Sequence, residues 1–330
     1  MDKITGIGNA LVDSLVHITD DAELERLKLP KGSMQLIDEQ QYAALSREMN
    51  RLSPKCATGG SAANAMLALA RLGRKPGFIG KTGDDEMGRF YAGTMSAAGA
   101  DIHVAHSSLP TGVASTFISP DGQRTFATFL GAAATLEPAD IRPEMIEGSR
   151  YLYLEGYLVQ NHALIDRAVE IAKQVGAKVC LDLASYNIVE QDRAYFERLV
   201  SGSVDIVFAN EEESRAFTGL EPEAAAERMA TMCDTVIVKL GAAGSMARSR
   251  SVRGGAARVP AGRVEHVVDT TAAGDFFTAG FMYALTEGCD LETCLRTGTL
   301  LSTAVIQVTG TALSDEKWSE IRKETDALCK

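Results

Sequence analysis

The sequence predicts an α/β protein: a mostly parallel sheet with helices on both faces, and a second, smaller β-sheet. Three observations carry this. Short apolar strands alternate with amphipathic helical stretches along most of the 330 residues, as in βα units joined by right-handed crossovers. Two strand-like regions interrupt the alternation before residue 131. No repeat, low-complexity tract or long linker divides the chain.

The elements follow in order. ITGIGNALVDSLVHI (4–18) reads as the first strand, and LPKGSMQLID (29–38) as a turn with a short strand. SAANAMLALARL (61–72) is a helix opening after Gly59 and Gly60, and KPGFIG (75–80) is a strand. GVASTFISPDGQRTFATFL (112–130) alternates on both sides of Pro120-Asp121-Gly122, the pattern of a β-hairpin. RYLYLEGYL (150–158), KVCLDLA (178–184), DIVFAN (205–210) and TVIVKLG (235–241) are strands, with helices over HALIDRAVEIAKQV (162–175) and EAAAERMATM (223–232) between them. The intruding strands predict a small lid sheet built from roughly 13–38 and 110–131 on one catalytic domain spanning 1–330. Ligands of such parallel sheets sit beyond the C-terminal strand ends.

A formal charge of −11 argues against a nucleic-acid or anionic-membrane surface. The start, MDKITGIGNALVD, lacks the basic and long apolar segments of a signal peptide, and no apolar run reaches membrane-span length, so a cytoplasmic protein is expected. The six cysteines form no CxxC pair and the five histidines no HExxH, which favours free thiols over a zinc site. Two resemblances to nucleotide motifs fail. FIGKTG ends like a phosphate loop, but Lys75 stands where that loop needs glycine. Gly6 and Gly8 would need a third glycine at 11 for a dinucleotide fingerprint, and Leu11 is there.

Other stretches carry chemistry. DTTAAGD (269–275) sets small residues between two carboxylates just before the apolar helix FFTAGF. Free N–H groups and the positive end of the helix dipole attract anions, and Ala272, Ala273 and Gly274 allow close approach. Asp275 is then either a base beside that cradle or a first-turn acid. Gly59 and Gly60 let backbone approach a ligand, with Asn64 one turn into the helix, or they simply turn the chain. Asp13 is an acid in an apolar strand. Asn210-Glu211-Glu212-Glu213 suits Mg²⁺ ligation or, equally, helix capping. Lys239, Gly241 and Gly244 form a strand-to-turn element that could border a nucleotide.

In this order the motifs resemble the PfkB (ribokinase-like) family of carbohydrate and nucleoside kinases over about residues 3–320. GG…N near residue 60 is similar to that family's N-terminal signature, DTTAAGD to its C-terminal DTxGAGD signature, and Asn210 with Glu213 to its NxxE. Ala272 departs from the usual glycine; it keeps its N–H donor, and a negative φ is expected there, since a left-handed alanine would be strained. Gly8 to Asp13 is similar to GNxLxD of the adenosine-kinase-like branch, as are Ser61 and the Arg124-Thr125-Phe126…Leu130-Gly131-Ala132-Ala133 stretch.

The resemblance implies a three-layer αβα ribokinase-like fold and ATP-dependent phosphorylation of a nucleoside 5′-hydroxyl, adenosine foremost. The alternative is a PfkB sugar kinase acting on fructose, ribose or ketodeoxygluconate. It implies Asp275 as base, the N–H groups of Ala272, Ala273, Gly274 and Asp275 as anion hole, and Arg124 as neutralising cation. Asp13, Gly59, Gly60 and Asn64 would grip acceptor hydroxyls, with Asn9 and Phe126 bordering a base. Lys239, Gly241, Gly244 and Thr270 would border ATP, and Asn210 and Glu213 would position Mg²⁺ through water. Asp269 would orient its loop or lend its carbonyl to a monovalent cation such as K⁺. ATP and a small nucleoside or sugar are the expected partners of a monomer or homodimer, with no nucleic acid and no membrane.

Overall fold

The computed structural model describes residues 3–120 and 123–330. The strands are β1 (Lys3–Ile7), β2 (Leu11–His17), β3 (Met34–Leu36), β4 (Lys55–Gly59), β5 (Gly77–Gly83), β6 (Asp101–Ser107) and β7 (Gly112–Ile118). Then come β8 (Arg124–Phe129), β9 (Ser149–Glu155), β10 (Lys178–Asp182), β11 (Ile206–Asn210), β12 (Thr235–Lys239), β13 (Ser245–Ser249) and β14 (Ala256–Val259). A nine-stranded sheet runs β14-β13-β12-β11-β10-β9-β1-β5-β6. It is parallel from β12 to β6, and its last two strands are antiparallel.

Alternation along the strands builds the three layers. Tyr151 and Tyr153 of β9 and Phe208 of β11 point to one face, where helices Ser61–Arg71, Ala273–Thr286 and Leu291–Val305 pack. Leu152, Leu154, Val207 and Ala209 point to the other, under helices His162–Val175 and Pro222–Ala230. Apolar residues on one stripe make His162–Val175 amphipathic, whereas Phe276 to Leu285 are buried on every face of Ala273–Thr286, as befits a helix held inside the packed layers.

The stretch expected as one first strand is two. The chain leaves the large sheet after Ile7 and enters the small one at Leu11, turning at Gly8, where an added Cβ would lie 2.3 Å from a Glu155 carboxylate oxygen. The small sheet runs β3-β8-β7-β2-β4. It includes β4, which lies outside the 13–38 and 110–131 segments expected for it, and which pairs antiparallel with β2. β7 and β8 pair antiparallel as a hairpin, although Asp121 and Gly122 of its expected turn lie outside the described residues. β6, β13 and β14 were not legible: DIHVAHS, SMARS and AARV are short and mix polar with apolar residues, as positions at the sheet edges (β6, β14) or next to one (β13) permit.

The parallel strands deliver a row of polar residues at their C-terminal ends: Glu155 on β9, Asp182 on β10, Asn210 on β11 and Lys239 on β12. Register places Asp182 beside Glu155 and Asn210 beside Lys239. Chain order reverses between β9 and β1, the place where open parallel sheets form a crevice.

Candidate active site

Asp275 stands in the first turn of helix Ala273–Thr286. Ser61 Oγ donates to its Oδ1 at 2.7 Å and Asn64 Nδ2 to its Oδ2 at 3.0 Å. Both donors come from the helix that Gly60 opens. Gly60 has φ +95°, and a Cβ there would sit 2.0 Å from the Asn9 carbonyl oxygen, so only glycine fits this corner. Burial pushes Asp275 up to about 6, against the opposing effect of the Ser61 and Asn64 hydrogen bonds. Asn64 is itself buried, and its Oδ1 has no partner.

Ala272 caps this helix with φ +60° and ψ 6°, a left-handed alanine, so the expected negative φ is wrong. The conformation is needed to turn the chain from Asp269 into the helix. Asp269 is buried and orients the loop: its Oδ1 accepts the Thr271 N–H at 2.8 Å and its Oδ2 the Gly310 N–H at 2.5 Å.

A cleft of about 650 Å³ is lined by Thr270, Ala272, Ala273, Gly274 and Asp275 on one side. Asp182, Ala184, Asn210, Glu211, Glu212, Glu213, Lys239 and Gly241 line it opposite, with Ser61 and Tyr157. Lys239 Nζ donates to Asp182 Oδ2 at 2.9 Å and lies 3.1 Å from where a Cβ on Gly274 would be, so its ammonium abuts the helix N-terminus. Burial would lower the Lys239 pKa, but the facing carboxylates of Asp182 and Glu213 outweigh it and the pKa is raised. Asn210 and Glu213 form a reciprocal capping box: Asn210 N and Nδ2 donate to the two Glu213 oxygens at 2.8 and 2.7 Å, and Glu213 N donates back to Oδ1 at 2.8 Å. Both carboxylate oxygens are thereby engaged, so the pair caps its helix and leaves outer-sphere contact, through water, as its route to a metal.

Not every expected residue meets the cleft. Gly244 is not among its lining residues; it turns β12 into β13 and accepts the Leu240 N–H. Asn9, Asp13, Gly59 and Gly60 gather beside it, with the Asp13 carboxylate 2.3 Å from the position of a Gly59 Cβ. Phe126 is half-buried on β8 opposite Thr116. Arg124 opens β8 opposite Ile118, and its side chain lies outside what is described.

Sequence reasoning did not select Ser61, Asp182, Ala184, Glu155 or Tyr157 as site residues. The signal for two of them was present, because an acid closes each of the apolar strands RYLYLE and KVCLD. Tyr157 follows directly, half-buried in the cleft wall, its phenol pushed up to about 12 by burial and then by Glu155.

A glycine-opened helix, a buried carboxylate beside a helix N-terminus and a lysine facing that terminus, at the C-terminal edge of a doubly covered sheet, define a phosphotransferase acting on an alcohol group. The chain belongs to the pfkB family of carbohydrate kinases, whose model matches residues 34–318. It is 31% identical over 264 residues to a 5-dehydro-2-deoxygluconokinase of Bacillus velezensis, covering 75% of this chain and 79% of that protein. Among solved structures it is similar to a probable sugar kinase of Rhizobium etli, with TM-score 0.87 and 30% identity over 99% of both chains. It is also similar to an adenosine kinase of Sinorhizobium meliloti, with TM-score 0.86 and 32% identity, covering 98% of this chain and 99% of the other. The ribokinase-like fold is thus as expected. Among the described residues no helix is long and apolar enough to cross a membrane.

Proposed function

We propose that this kinase transfers the γ-phosphoryl group of ATP to a hydroxyl of a small free sugar or sugar acid, with 5-dehydro-2-deoxygluconate the first acceptor to test. One observation in the molecule carries the hydroxylated acceptor. Asn64 directs its amide N–H to Asp275 and leaves its Oδ1 buried without a partner, an acceptor that a substrate hydroxyl beside the base would satisfy. The choice of sugar over the adenosine first expected is supported by the names of the Bacillus and Rhizobium relatives. Adenosine remains the second reading, favoured by the Sinorhizobium relative and by Tyr157, an aromatic face in the cleft wall.

The chemistry follows from position. Asp275 accepts the proton of the attacking hydroxyl, and a pKa near 6 leaves it ionised at neutral pH yet basic enough to work. The N–H groups of Gly274 and Asp275 face the developing charge, while the Ala273 N–H, expected to join them, is held by the Thr270 carbonyl at 3.2 Å. Lys239 beside them neutralises that charge, with Arg124 of the small sheet proposed as the second cation. The carboxylates and amide oxygen of Asp182, Asn210 and Glu213 are hard donors that suit a hydrated Mg²⁺. Bound with ATP, that ion supplies charge neutralisation at the phosphate oxygens.

An acceptor panel tests the reading. With MgATP, ADP release is expected with 5-dehydro-2-deoxygluconate, ribose or fructose. Release with adenosine and with none of the sugars would overturn the sugar acceptor and leave the second reading standing.

A further inference from the structure

Tyr153 is a buried titratable group that the chemistry above does not use. It stands on β9, two residues before the strand's end, and is fully buried. Its ring meets Phe208 of β11 edge-on, with centroids 6.4 Å apart, and Phe208 in turn meets Phe281 of helix Ala273–Thr286. Phenylalanine would make the same ring contacts. The hydroxyl is what needs a reason, because it is buried and has no hydrogen-bond partner in this structure. Burying an unsatisfied hydroxyl costs more than burying a bare ring in the same place.

The hydroxyl beside it is that of Ser61, and Asp182, Asp275 and Glu155 are the carboxylates it faces. Ser61 Oγ commits its one proton to Asp275 Oδ1 at 2.7 Å, which leaves it two lone pairs and no second donor. Toward Ser61, then, Tyr153 can only donate, and a small movement of the two side chains completes the chain. We propose that Tyr153 is a positioning residue for the base, donating its hydroxyl to Ser61 and so fixing the Ser61 hydroxyl on Asp275 Oδ1. The inference rests on the reading of Asp275 as that base. A hydroxyl that accepts one hydrogen bond donates its own more strongly, so each link reinforces the next. The chain ends on a carboxylate and therefore favours the ionised form of Asp275 over the protonated one. Besides burial, the groups acting on Asp275 are Asp182 and Glu155, which oppose its charge, and Lys239, which favours it. The Asn64 amide and the Tyr157 phenol complete the surroundings. None of these is altered when Tyr153 loses its hydroxyl.

Tyr153→Phe is the test, since it removes the hydroxyl and keeps the ring. The direct readout is the titration of the Asp275 carboxyl carbon by NMR in isotope-labelled protein, its signal assigned by its loss in Asp275→Asn. In Tyr153→Phe that titration should move upward by about half a pH unit, because the carboxylate has lost the support of the chain. An unmoved titration in the folded variant overturns the proposal, and a hydroxyl kept only for packing would give that result. Ser61→Ala cuts the chain in the middle, so adding Tyr153→Phe to it should move the titration no further. A second rise of the same size would overturn the route through Ser61. The acid limb of kcat/KM is measured with whichever of 5-dehydro-2-deoxygluconate, ribose, fructose and adenosine the wild type phosphorylates. It should shift upward with the carboxyl. If the carboxyl moves and the rate profile does not, the chain stands and the reading of Asp275 as base falls. If the wild type phosphorylates none of the four, the acceptor reading fails by itself, and the carboxyl titration still decides the case for Tyr153. Should Tyr153→Phe not fold, Tyr153→Leu, which also lacks the hydroxyl, replaces it, with an upward shift again expected and an unmoved titration again overturning the proposal.

Discussion

Asp275 lies where ionisation is costly, and that fixes two measurable consequences. If it is the base, kcat/KM should fall as pH drops through about 6, the value to which burial pushes it. Its pKa is raised above an unfolded value of about 3.9, so the stability it contributes is fully present below about 3.9 and is lost as pH rises through about 6. Asp275→Asn should therefore melt a few degrees higher than wild type at pH 8 while losing about 10²–10⁴ in kcat. Wild-type turnover in that variant would remove Asp275 from the chemistry, and an unchanged melting point would remove the strain of the buried charge. Ala272 is strained differently. A left-handed alanine costs about 1–2 kcal/mol, which glycine relieves in the folded chain but partly returns as freedom in the unfolded one. Ala272→Gly should keep or modestly raise stability and turnover, whereas Ala272→Val should lower the melting point, because a β-branched residue tolerates that φ least. Equal melting for the two variants would mean the loop relaxes to another conformation.

At the scale of elements, the capping box of Asn210 and Glu213 has two consequences that one substitution separates. Asn210→Ala removes the cap of helix Glu211–Thr218 and should cost about 0.5–2 kcal/mol of stability, read by denaturant unfolding. If the pair also orients the hydration shell of Mg²⁺, the same variant raises the KM for MgATP; an unchanged KM would confine it to capping. The small sheet offers a second contrast. Its own core is a modest cluster around Val16, Leu24, Leu45 and Phe117, separate from the two large clusters against the nine-stranded sheet. Elements with little apolar burial open first, so amides of β3, β7 and β8 should exchange faster than those of β9 to β12. Bound acceptor with an unreactive ATP analogue should slow them if this sheet closes as a lid. Protection confined to the large sheet would leave the small one as scaffold. Arg124→Ala belongs to the same question: kcat should fall more than acceptor KM rises if the lid carries the cation to developing charge.

For the whole molecule, the distinction lies between pattern and meeting. The alternation of apolar strands with amphipathic helices already dictated a parallel sheet covered on both faces, because a strand buried on two sides and a helix buried on one have different periods. DTTAAGD and GG…N were likewise readable, since an anion cradle and a glycine-only corner demand particular residue types at particular places. The split of the first strand was not, because Gly8 turns only where Glu155, nearly 150 positions on, occupies its space. Nor was the φ of Ala272, which depends on a loop anchored through Asp269 to Gly310. Ser61 and Asn64 reach Asp275 across more than 200 residues, and the Asp182–Lys239 pair joins two strand ends. Local sequence determined which segments fold and which of them can bind an anion, because propensity, periodicity and turn chemistry act within a few residues. Tertiary structure alone decided which carboxylate is buried, which is paired and which is left to act as a base, because burial and partnership are set by residues distant in the chain.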